Sequence, residues 1–229
     1  MTPQVRPVAL VTGASRGVGA AIARALAPTH DLILGGRGSS ELDALATEFD
    51  GAVTLPVDLT DDDTLEAAVE TITDLDVLVH SAGIASTLEM VADTPVEEWR
   101  ALLDINVVAA AELTRLLLPA LRVRRGHIVF LNSGAGQQVR PGWTPYAASK
   151  FALRALADGV RAEEPELRVT SIYPGRIDTD MQREIVAREG NRYDPARYLT
   201  PSTVATAVVQ AIAAPADAHP TDLTLRPRG

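Results

Sequence analysis

The feature of this sequence that most constrains its fold is the alternation of short apolar runs with longer segments of helical period. The runs Val77 to Val79 and Ile128 to Leu131 are continuously apolar rather than alternating, which is typical of strands buried on both faces of a parallel sheet. The segments between such runs carry alanine or leucine at positions i, i+3 and i+4, as amphipathic helices do. The pattern predicts a doubly wound α/β fold.

The run boundaries give the predicted elements. Seven strands are expected at Val8–Thr12, Leu32–Gly35, Ala52–Val57, Val77–His80, His127–Leu131, Arg168–Tyr173 and Asp222–Leu225. Helices are expected at Val18–Leu26, Ser40–Phe49, Asp62–Ile72, Val96–Leu121, Pro145–Glu163 and Thr203–Ala213. Right-handed crossovers then give a Rossmann-type, seven-stranded parallel sheet with helices on both faces, in a single domain spanning residues 1–229.

Composition excludes several classes of protein. The 229 residues carry 30 acids and a formal net charge of −9, so nucleic acid is not an expected partner. Cysteine is absent, which removes disulfides, thiol nucleophiles and cysteine metal sites, and no metal is predicted. No apolar stretch approaches the length of a membrane span, and we expect a cytoplasmic protein with no membrane partner.

A glycine-rich loop follows the first predicted strand and opens directly into a helix. Its spacing is Gly-x3-Gly-x-Gly, from Gly13 through Gly17 to Gly19. Such glycines permit a tight turn and let backbone N–H groups approach a pyrophosphate at the positive end of a helix, whereas a loop without a ligand would be only a tight strand-to-helix connection. The residues expected to contact a dinucleotide here are Gly13, Ser15, Arg16, Gly17, Val18 and Gly19.

The end of the second predicted strand indicates which dinucleotide binds. An NAD site places an acid here for the ribose hydroxyls, whereas an arginine suits a 2′-phosphate. This chain has Arg37, with no acid until Glu41, and Arg16 in the glycine loop can supply a second charge. We predict NADP(H) as the cofactor; the alternative is that both arginines are merely solvated.

Ser133, Tyr146 and Lys150 form the strongest chemical signal in the chain. Tyr146 and Lys150 are i and i+4 on a predicted helix and therefore share a face, which would otherwise be ordinary helix surface. An adjacent ammonium stabilises a phenolate and lowers its pKa toward a useful value. Ser133 follows the fifth strand, where its hydroxyl can donate to a carbonyl oxygen that gains negative charge. Together these groups suit proton transfer to that oxygen during carbonyl reduction.

With these motifs in order from residue 12 to residue 179, the chain resembles the short-chain dehydrogenase/reductase family over essentially its whole length. The segment Thr12 to Gly19 resembles the family's cofactor loop, and Tyr146 with Lys150 resembles its Tyr-x-x-x-Lys pair. The resemblance implies that Asn106 completes a catalytic tetrad by holding a water that relays protons.

The resemblance also implies further cofactor contacts. Asp58 is expected to contact the adenine amino group, and the segment from Pro174 to Thr179 is expected to cradle the nicotinamide. The additional residues assigned in this way are Asp58, Leu59, Ser81, Ala82, Gly83, Pro174, Gly175, Ile177 and Thr179, with Tyr146 and Lys150 also touching the cofactor. A homodimer or homotetramer is implied, with helices 96–121 and 145–163 packing across a two-fold axis; their alanines, including Ala109, Ala110 and Ala147, would allow close approach or face the sheet.

Two positions depart from the family pattern. His80-Ser81 stands where the family has Asn-Asn, and we interpret His80 as a structural strand-end histidine rather than a catalytic base. The tail Asp222 to Pro227 lacks the Asp-Gly-Gly ending that is common in 3-oxoacyl-thioester reductases. The departure weakens that activity without excluding it.

Substrate residues are less clearly marked. Residues 178–200 are expected to form a lid that offers Met181, Tyr193 and Tyr198, and residues 134–145 a facing wall that offers Gln137, Gln138 and Trp143. Arginines and acids balance between 176 and 198, which favours a neutral, moderately apolar substrate. Three arginines before the fifth strand, Arg122, Arg124 and Arg125, could dock an acidic carrier protein or could simply favour a helix C-terminus.

The sequence therefore predicts NADPH-dependent, reversible reduction of a ketone or aldehyde to an alcohol. A 3-oxoacyl-thioester reductase is the alternative enzyme, and a non-catalytic NADP(H)-binding regulator is the alternative from another class. Lys150 is the single lysine among 21 basic residues. Arginine has replaced lysine wherever any cation suffices, and a compact ammonium persists only where a proton relay requires it.

Overall fold

A computed structural model describes residues 6–228, and residues 1–5 and 229 of the predicted domain lie outside the described part. Seven parallel strands form one sheet in the order β3-β2-β1-β4-β5-β6-β7. The strands are β1 (Val8–Val11), β2 (Asp31–Gly36), β3 (Val53–Pro56), β4 (Val77–His80), β5 (His127–Leu131), β6 (Arg168–Pro174) and β7 (Asp222–Leu225). The predicted fold class is confirmed, and each predicted strand lies within one residue of the observed bounds.

Helices cover both faces of the sheet. They are α1 (Gly17–Leu26), α2 (Ser40–Ala46), α3 (Asp62–Val69), α4 (Val96–Leu103), α5 (Ala109–Arg124), α6 (Thr144–Glu163), α7 (Asp180–Arg188) and α8 (Pro201–Ile212). Side chains alternate along each strand, so Leu10 of β1 packs with α3, α5 and α6 while Ala9 and Val11 pack with α1, α2 and α8. Each fully buried leucine in these two clusters contributes about 1.5–3 kcal/mol.

The prediction of one helix over Val96–Leu121 is wrong. The segment comprises α4, a π-helical segment at Asp104–Val108 and α5. The bulge carries Asn106, whose side chain pairs with the backbone of Ile84, far away in the sequence. The spacing of apolar residues cannot predict a polar contact with a distant segment. π-Bulges occur often at functional sites.

Helix α7 was not predicted, because its sequence is mostly polar. It lies inside the segment 178–200, begins after Thr179, and is capped by the Thr179 hydroxyl, which accepts from Gln182 N at 3.2 Å. Its buried side chains Ile185 and Val186, and a hydrogen bond from Arg188 Nη1 to Ser86 O at 2.8 Å, attach it to the domain. The predicted lid therefore contains a folded helix that packs on the rest of the domain.

Strand order reverses between β1 and β4. The chain winds from β1 outward to β3, returns to β4, and winds outward to β7 on the other side. In open parallel sheets a crevice forms at the carboxyl ends of the strands at such a reversal, because the following connections leave on opposite faces. The loops after β1, β4, β5 and β6 therefore converge at one edge.

Candidate active site

The glycine loop after β1 adopts the conformation that its glycines allow. Gly13 and Gly17 have φ values of 63° and 58°, in the left-handed region that β-carbons disfavour. A β-carbon on Gly19 would lie 2.2 Å from the carbonyl oxygen of Gly13. The loop can close tightly onto the first turn of α1 only with glycine at these positions, and this leaves the backbone of the turn accessible to an anion.

Thr12 joins the loop after β1 to the loop after β4. Its hydroxyl oxygen accepts hydrogen bonds from the backbone N–H groups of Ser81 and Ala82, at 3.0 and 3.1 Å, and donates to Val79 O at 3.3 Å. A β-carbon on Gly13 would lie 2.9 Å from the Cα atom of Ala82. The two loops are thus in direct contact and form one wall of a cavity.

A cavity of about 580 Å³ runs along this edge of the sheet. The predicted cofactor residues that line it are Gly13, Ser15, Arg16, Gly17, Val18, Gly19, Arg37, Asp58, Leu59, Ser81, Ala82, Gly83, Tyr146, Lys150, Pro174, Ile177 and Thr179. Gly175 is the exception, since it lies on a neighbouring cavity. Sequence reasoning missed Gly36, Thr60 and Ile105, which also line the first cavity and carry no distinctive motif.

Arg37 and Asp58 lie at the end of the cavity formed by β2 and β3. Asp58 Oδ1 accepts from Thr60 N at 3.0 Å and from Thr60 Oγ1 at 2.8 Å, and these bonds hold the pKa of Asp58 below its ordinary value. This is a turn built by an aspartate side chain. One carboxylate oxygen is occupied by the turn, while the residue still borders the cavity.

Tyr146 lies between the first cavity and a second one, and Ser133 lines the second cavity beside it. Burial raises the pKa of Tyr146 above its ordinary value, and a hydrogen bond with Ser133 acts in the opposite direction but less strongly. Ser133 Oγ also accepts from Ala135 N at 3.1 Å. At neutral pH the phenol therefore keeps its proton and can donate it.

Lys150 lies beneath Tyr146 on the same face of α6. Its Nζ donates to Leu131 O at 3.1 Å and lies 5.8 Å from the centre of the Tyr146 ring. Burial lowers the pKa of Lys150 to about 8. The side chain is 5% exposed, so its charge reaches Tyr146 with little screening by water.

Asn106 is buried behind this group in the π-helical segment. Its Nδ2 donates to Ile84 O at 3.1 Å and to Ser149 Oγ at 3.0 Å, and its Oδ1 accepts from Ile84 N at 2.9 Å. Ser149 Oγ in turn donates to Tyr146 O at 2.7 Å. A β-carbon on Gly83 would lie 2.8 Å from Asn106 Oδ1 and 3.8 Å from Lys150 Nζ. The structure thus brings the four predicted catalytic residues into one connected group.

His80 lies outside this group. It is buried, its ring stacks on Phe130 at 4.8 Å between centroids, and its Nε2 is hydrogen-bonded to Thr114 at 2.9 Å. Desolvation lowers the pKa of His80 to about 3, so the ring is neutral. These contacts agree with the structural role expected from the sequence.

The second cavity, of about 690 Å³, opens on the other side of Tyr146. Trp143 and Met181, two of the predicted substrate residues, line it, and the Trp143 ring meets the Tyr146 ring edge-on at 5.9 Å. Gln137 does not line it: its Nε2 donates to Thr224 Oγ1 at 3.1 Å, so the side chain is turned toward β7. Gln138, the other glutamine predicted for this wall, lines the cavity.

The three arginines before β5 lie at the opposite edge of the sheet from both cavities. Arg122 pairs with Glu164, Arg124 with Asp76 and Asp74, and Arg125 with Glu166. Each charge is matched within the domain. A carrier protein docked at this group would be remote from Tyr146, and the carrier-docking interpretation loses its support.

Within residues 6–228 there is no helix with both the length and the apolar character needed to cross a bilayer. In the same range, no set of three or more histidine, aspartate or glutamate side chains is arranged to hold a metal ion.

A doubly wound sheet with a phosphate-type glycine loop at its reversal point, next to a half-buried serine and tyrosine and a buried lysine, defines an NAD(P)-dependent oxidoreductase of the Rossmann class. The family model described as short chain dehydrogenase matches residues 7–190. The chain therefore belongs to the short-chain dehydrogenase/reductase family.

Individual relatives cover most of the chain. An uncharacterized oxidoreductase of Schizosaccharomyces pombe is 34% identical over 189 residues, which are 81% of this chain and 76% of that protein. The alcohol dehydrogenase of Thermococcus sibiricus, solved with 5-hydroxy-NADP, superposes with a TM-score of 0.87 at 28% identity and covers 97% of each chain. The closed form of serine dehydrogenase with NADP+ gives 0.86 at 28% identity, covering 95% of this chain and 94% of that one.

Proposed function

We propose that this enzyme is an NADPH-dependent carbonyl reductase that converts a ketone or aldehyde to an alcohol and can run in reverse. The observation that carries the proposal is the position of Tyr146, which lines both cavities, with Lys150 on the first cavity and Ser133 on the second. A carbonyl group held in the second cavity would meet the phenol of Tyr146 at the border with the cofactor cavity.

The glycine loop fits a dinucleotide. At Gly13 and Gly19 a β-carbon would collide with neighbouring backbone atoms, so only glycine allows the loop to close this tightly. The closed loop leaves backbone N–H groups at the start of α1 to bind the pyrophosphate. When bound, the nicotinamide would supply the hydride for the carbonyl carbon. Ile177 and Thr179 lie on the same cavity and would hold the nicotinamide end.

The protein side of the reaction is proton transfer to the carbonyl oxygen. Ser133 would donate a hydrogen bond to that oxygen and polarise it. Tyr146, protonated because its pKa is raised, would give its proton to the same oxygen as negative charge develops there. Lys150 would stabilise the phenolate left behind, and Asn106 would hold the π-helical segment against Ile84 and Ser149.

Preference for NADP(H) rests on Arg16 and Arg37. Both line the cofactor cavity, one in the glycine loop and one directly after β2. A guanidinium binds a phosphate through paired, charge-assisted hydrogen bonds, which would favour a 2′-phosphorylated ribose over a free one. The alcohol dehydrogenase and serine dehydrogenase structures were both solved with NADP-type cofactors.

We also propose that residues 178–200 act as a lid. Met181 lines both cavities, so the segment covers the place where substrate and cofactor would meet. The segment is attached by the ion pair of Arg176 with Glu189 and by the buried side chains of Ile185 and Val186. The ion pair contributes about 0–1 kcal/mol and each buried side chain about 1.5–3 kcal/mol, so opening the lid mainly costs these apolar contacts.

A homo-oligomeric state and a cytoplasmic location stay predictions. Ala109, Ala110 and Ala147 are buried in the domain's own core and therefore do not supply the interface. Support for self-association comes instead from Val108 and Phe151, which are 53% and 40% exposed on adjoining helical segments.

The proposed function is tested by following NADPH oxidation with a panel of ketones, quinones, aldehydes and oxoacyl thioesters. At least one simple carbonyl compound should be reduced, and Tyr146→Phe should lower that rate by roughly 10²–10⁴-fold while NADPH still binds. Absence of turnover on the whole panel by enzyme that binds NADPH would favour a non-catalytic regulator. Turnover of oxoacyl thioesters alone would favour the thioester reductase.

A further inference from the structure

The second cavity has the opposite charge from the protein as a whole. Its charged lining residues are Arg140, Arg176, Arg192, Arg197, Arg226 and a single acid, Glu189. Five arginines against one glutamate line this cleft in a chain whose net charge is −9. A cleft lined by one sign of charge concentrates ligands of the other sign.

Arginines and acids balance along residues 176–198, but they do not balance among the residues that line the cleft. Asp178 is engaged outside it, because it accepts from Arg183 and from the hydroxyl of Tyr193. Glu189 is neutralised by Arg176. Among residues 6–228, no acid lies within ion-pair distance of Arg192 or Arg197, so their charges are left for a ligand.

Arg226, directly after β7, is the arginine best placed to bind a substrate. Its Nη1 donates to Tyr173 O at 2.9 Å and to Leu225 O at 3.1 Å, and its Nη2 donates to Gln137 Oε1 at 3.0 Å. All three acceptors are neutral, so they fix the guanidinium in place without cancelling its charge.

The fixed guanidinium lies beside the catalytic serine. A β-carbon on Gly134, the residue after Ser133, would lie 3.3 Å from Arg226 Nη2. Within the described chain, the Nε–H and one Nη2–H of Arg226 have no hydrogen-bond partner. A guanidinium binds a carboxylate through a pair of parallel N–H groups, and the neutral Gln137 is the one Nη2 acceptor that a carboxylate would have to share or replace.

We propose that the substrate is an oxoacid, a carbonyl compound with a carboxylate on the same short chain, which Arg226 binds while Ser133 and Tyr146 hold the carbonyl. This inference rests on the proposed reductase function and names its substrate class. The carbonyl carbon gains a hydride from NADPH, the oxygen gains the proton of Tyr146, and the product is a hydroxyacid with its carboxylate unchanged.

The test compares 2-oxo, 3-oxo and semialdehyde acids with their methyl esters, which keep the carbonyl but lose the charge. For at least one pair, kcat/KM should be roughly 10–100-fold higher for the acid, the range expected of a charged hydrogen bond. Arg226→Gln should reduce this acid-to-ester ratio about ten-fold or more. Arg228→Gln, an exposed arginine two residues further on and outside the cleft, is the matched control and should leave the ratio unchanged.

A second variant keeps the test decisive if Arg226→Gln does not fold. Arg197→Gln removes an exposed cleft arginine and should lower the same ratio, and the ratio for the unmodified enzyme should fall as salt is added. Esters reduced as efficiently as their acids would overturn the inference and leave the reductase function intact. Turnover of neither acids nor esters, nor of any other carbonyl compound, would overturn the proposed function itself.

Discussion

Asn106 Nδ2 donates to Ser149 Oγ at 3.0 Å, and this bond connects the π-helical segment to α6, the helix that carries Tyr146. Ser149 is fully buried, and its hydroxyl donates a hydrogen bond to Tyr146 O at 2.7 Å. Asn106 therefore acts on Tyr146 through the backbone of α6, in addition to any water that it holds.

Removing the Asn106 side chain should damage both stability and catalysis. Asn106→Ala leaves the buried polar groups of Ile84 and Ser149 with fewer partners, at a cost of about 1–3 kcal/mol in the free energy of unfolding. We expect kcat to fall at least ten-fold with KM little changed. Ser149→Ala, which spares the pairing of Asn106 with Ile84, is the matched control and should lose less of both. Equal losses in the two variants would show that the bond between Asn106 and Ser149 accounts for the whole effect.

Lys150 should destabilise the folded protein at neutral pH. Its pKa falls from 10.5 to about 8 on folding, so between these values the unfolded chain binds more protons and stability rises with pH. Below about pH 8 the full penalty applies, on the order of 3 kcal/mol. Lys150→Met should therefore be inactive yet more stable than the unmodified protein at pH 7 in urea denaturation. The advantage should vanish as the pH approaches 10.5; an advantage independent of pH would mean that better packing, rather than charge, is the cause.

Lys150→Arg should lose most of the activity while NADPH binding persists in part. Lys150 is 5% exposed and its Nζ donates to Leu131 O at 3.1 Å, so the larger, planar guanidinium has to displace its neighbours to occupy the same place. For the unmodified enzyme, the rate of carbonyl reduction should fall as the pH rises through about 8, because Lys150 then loses its charge. Steady-state rates across pH and NADPH titration by fluorescence measure both effects. Near-normal turnover by the arginine variant would mean that any cation suffices.

The sequence predicts most of the cofactor cavity because local rules govern it. Gly13 and Gly17 adopt left-handed backbone in a strand-to-helix turn, and the helical spacing of Tyr146 and Lys150 puts both on one face. Such features depend on neighbours within a few residues and can therefore be predicted from the sequence alone.

Contacts between distant segments were not predictable. Nothing near Asn106 shows that it pairs with Ile84, and nothing near Arg226 shows that it reaches Gln137 and turns that side chain away from the cleft. The positive charge of the cleft was missed for the same reason. It depends on which acids form ion pairs outside the cleft and which arginines remain unpaired, and the tertiary fold alone determines these pairs.

Oligomerisation is predicted to use the apolar residues exposed beside the active-site helix. Phe151 is 40% exposed at the end of the second turn of α6, and a glutamate there would bring a charge into any apolar interface. Phe151→Glu should shift the protein from dimer or tetramer to monomer in light scattering. Arg154→Glu changes charge one turn further along the same helix and is the control for charge alone. A monomer in the unmodified protein would contradict the predicted assembly.

Cofactor preference is predicted to reside in Arg37. The residue lies directly after β2 on the cofactor cavity, where a carboxylate would repel the 2′-phosphate of NADPH and accept from the ribose hydroxyls of NADH. Arg37→Asp should lower kcat/KM for NADPH roughly 10–100-fold, the loss expected when a charged hydrogen bond is removed, and should raise it for NADH. Arg16→Gln should lower kcat/KM for NADPH without raising kcat/KM for NADH. Arg100→Gln, an exposed arginine of α4 outside the cavity, is the control. Equal kcat/KM values for the two cofactors in the unmodified enzyme would mean that Arg16 and Arg37 are solvated and do not bind the 2′-phosphate.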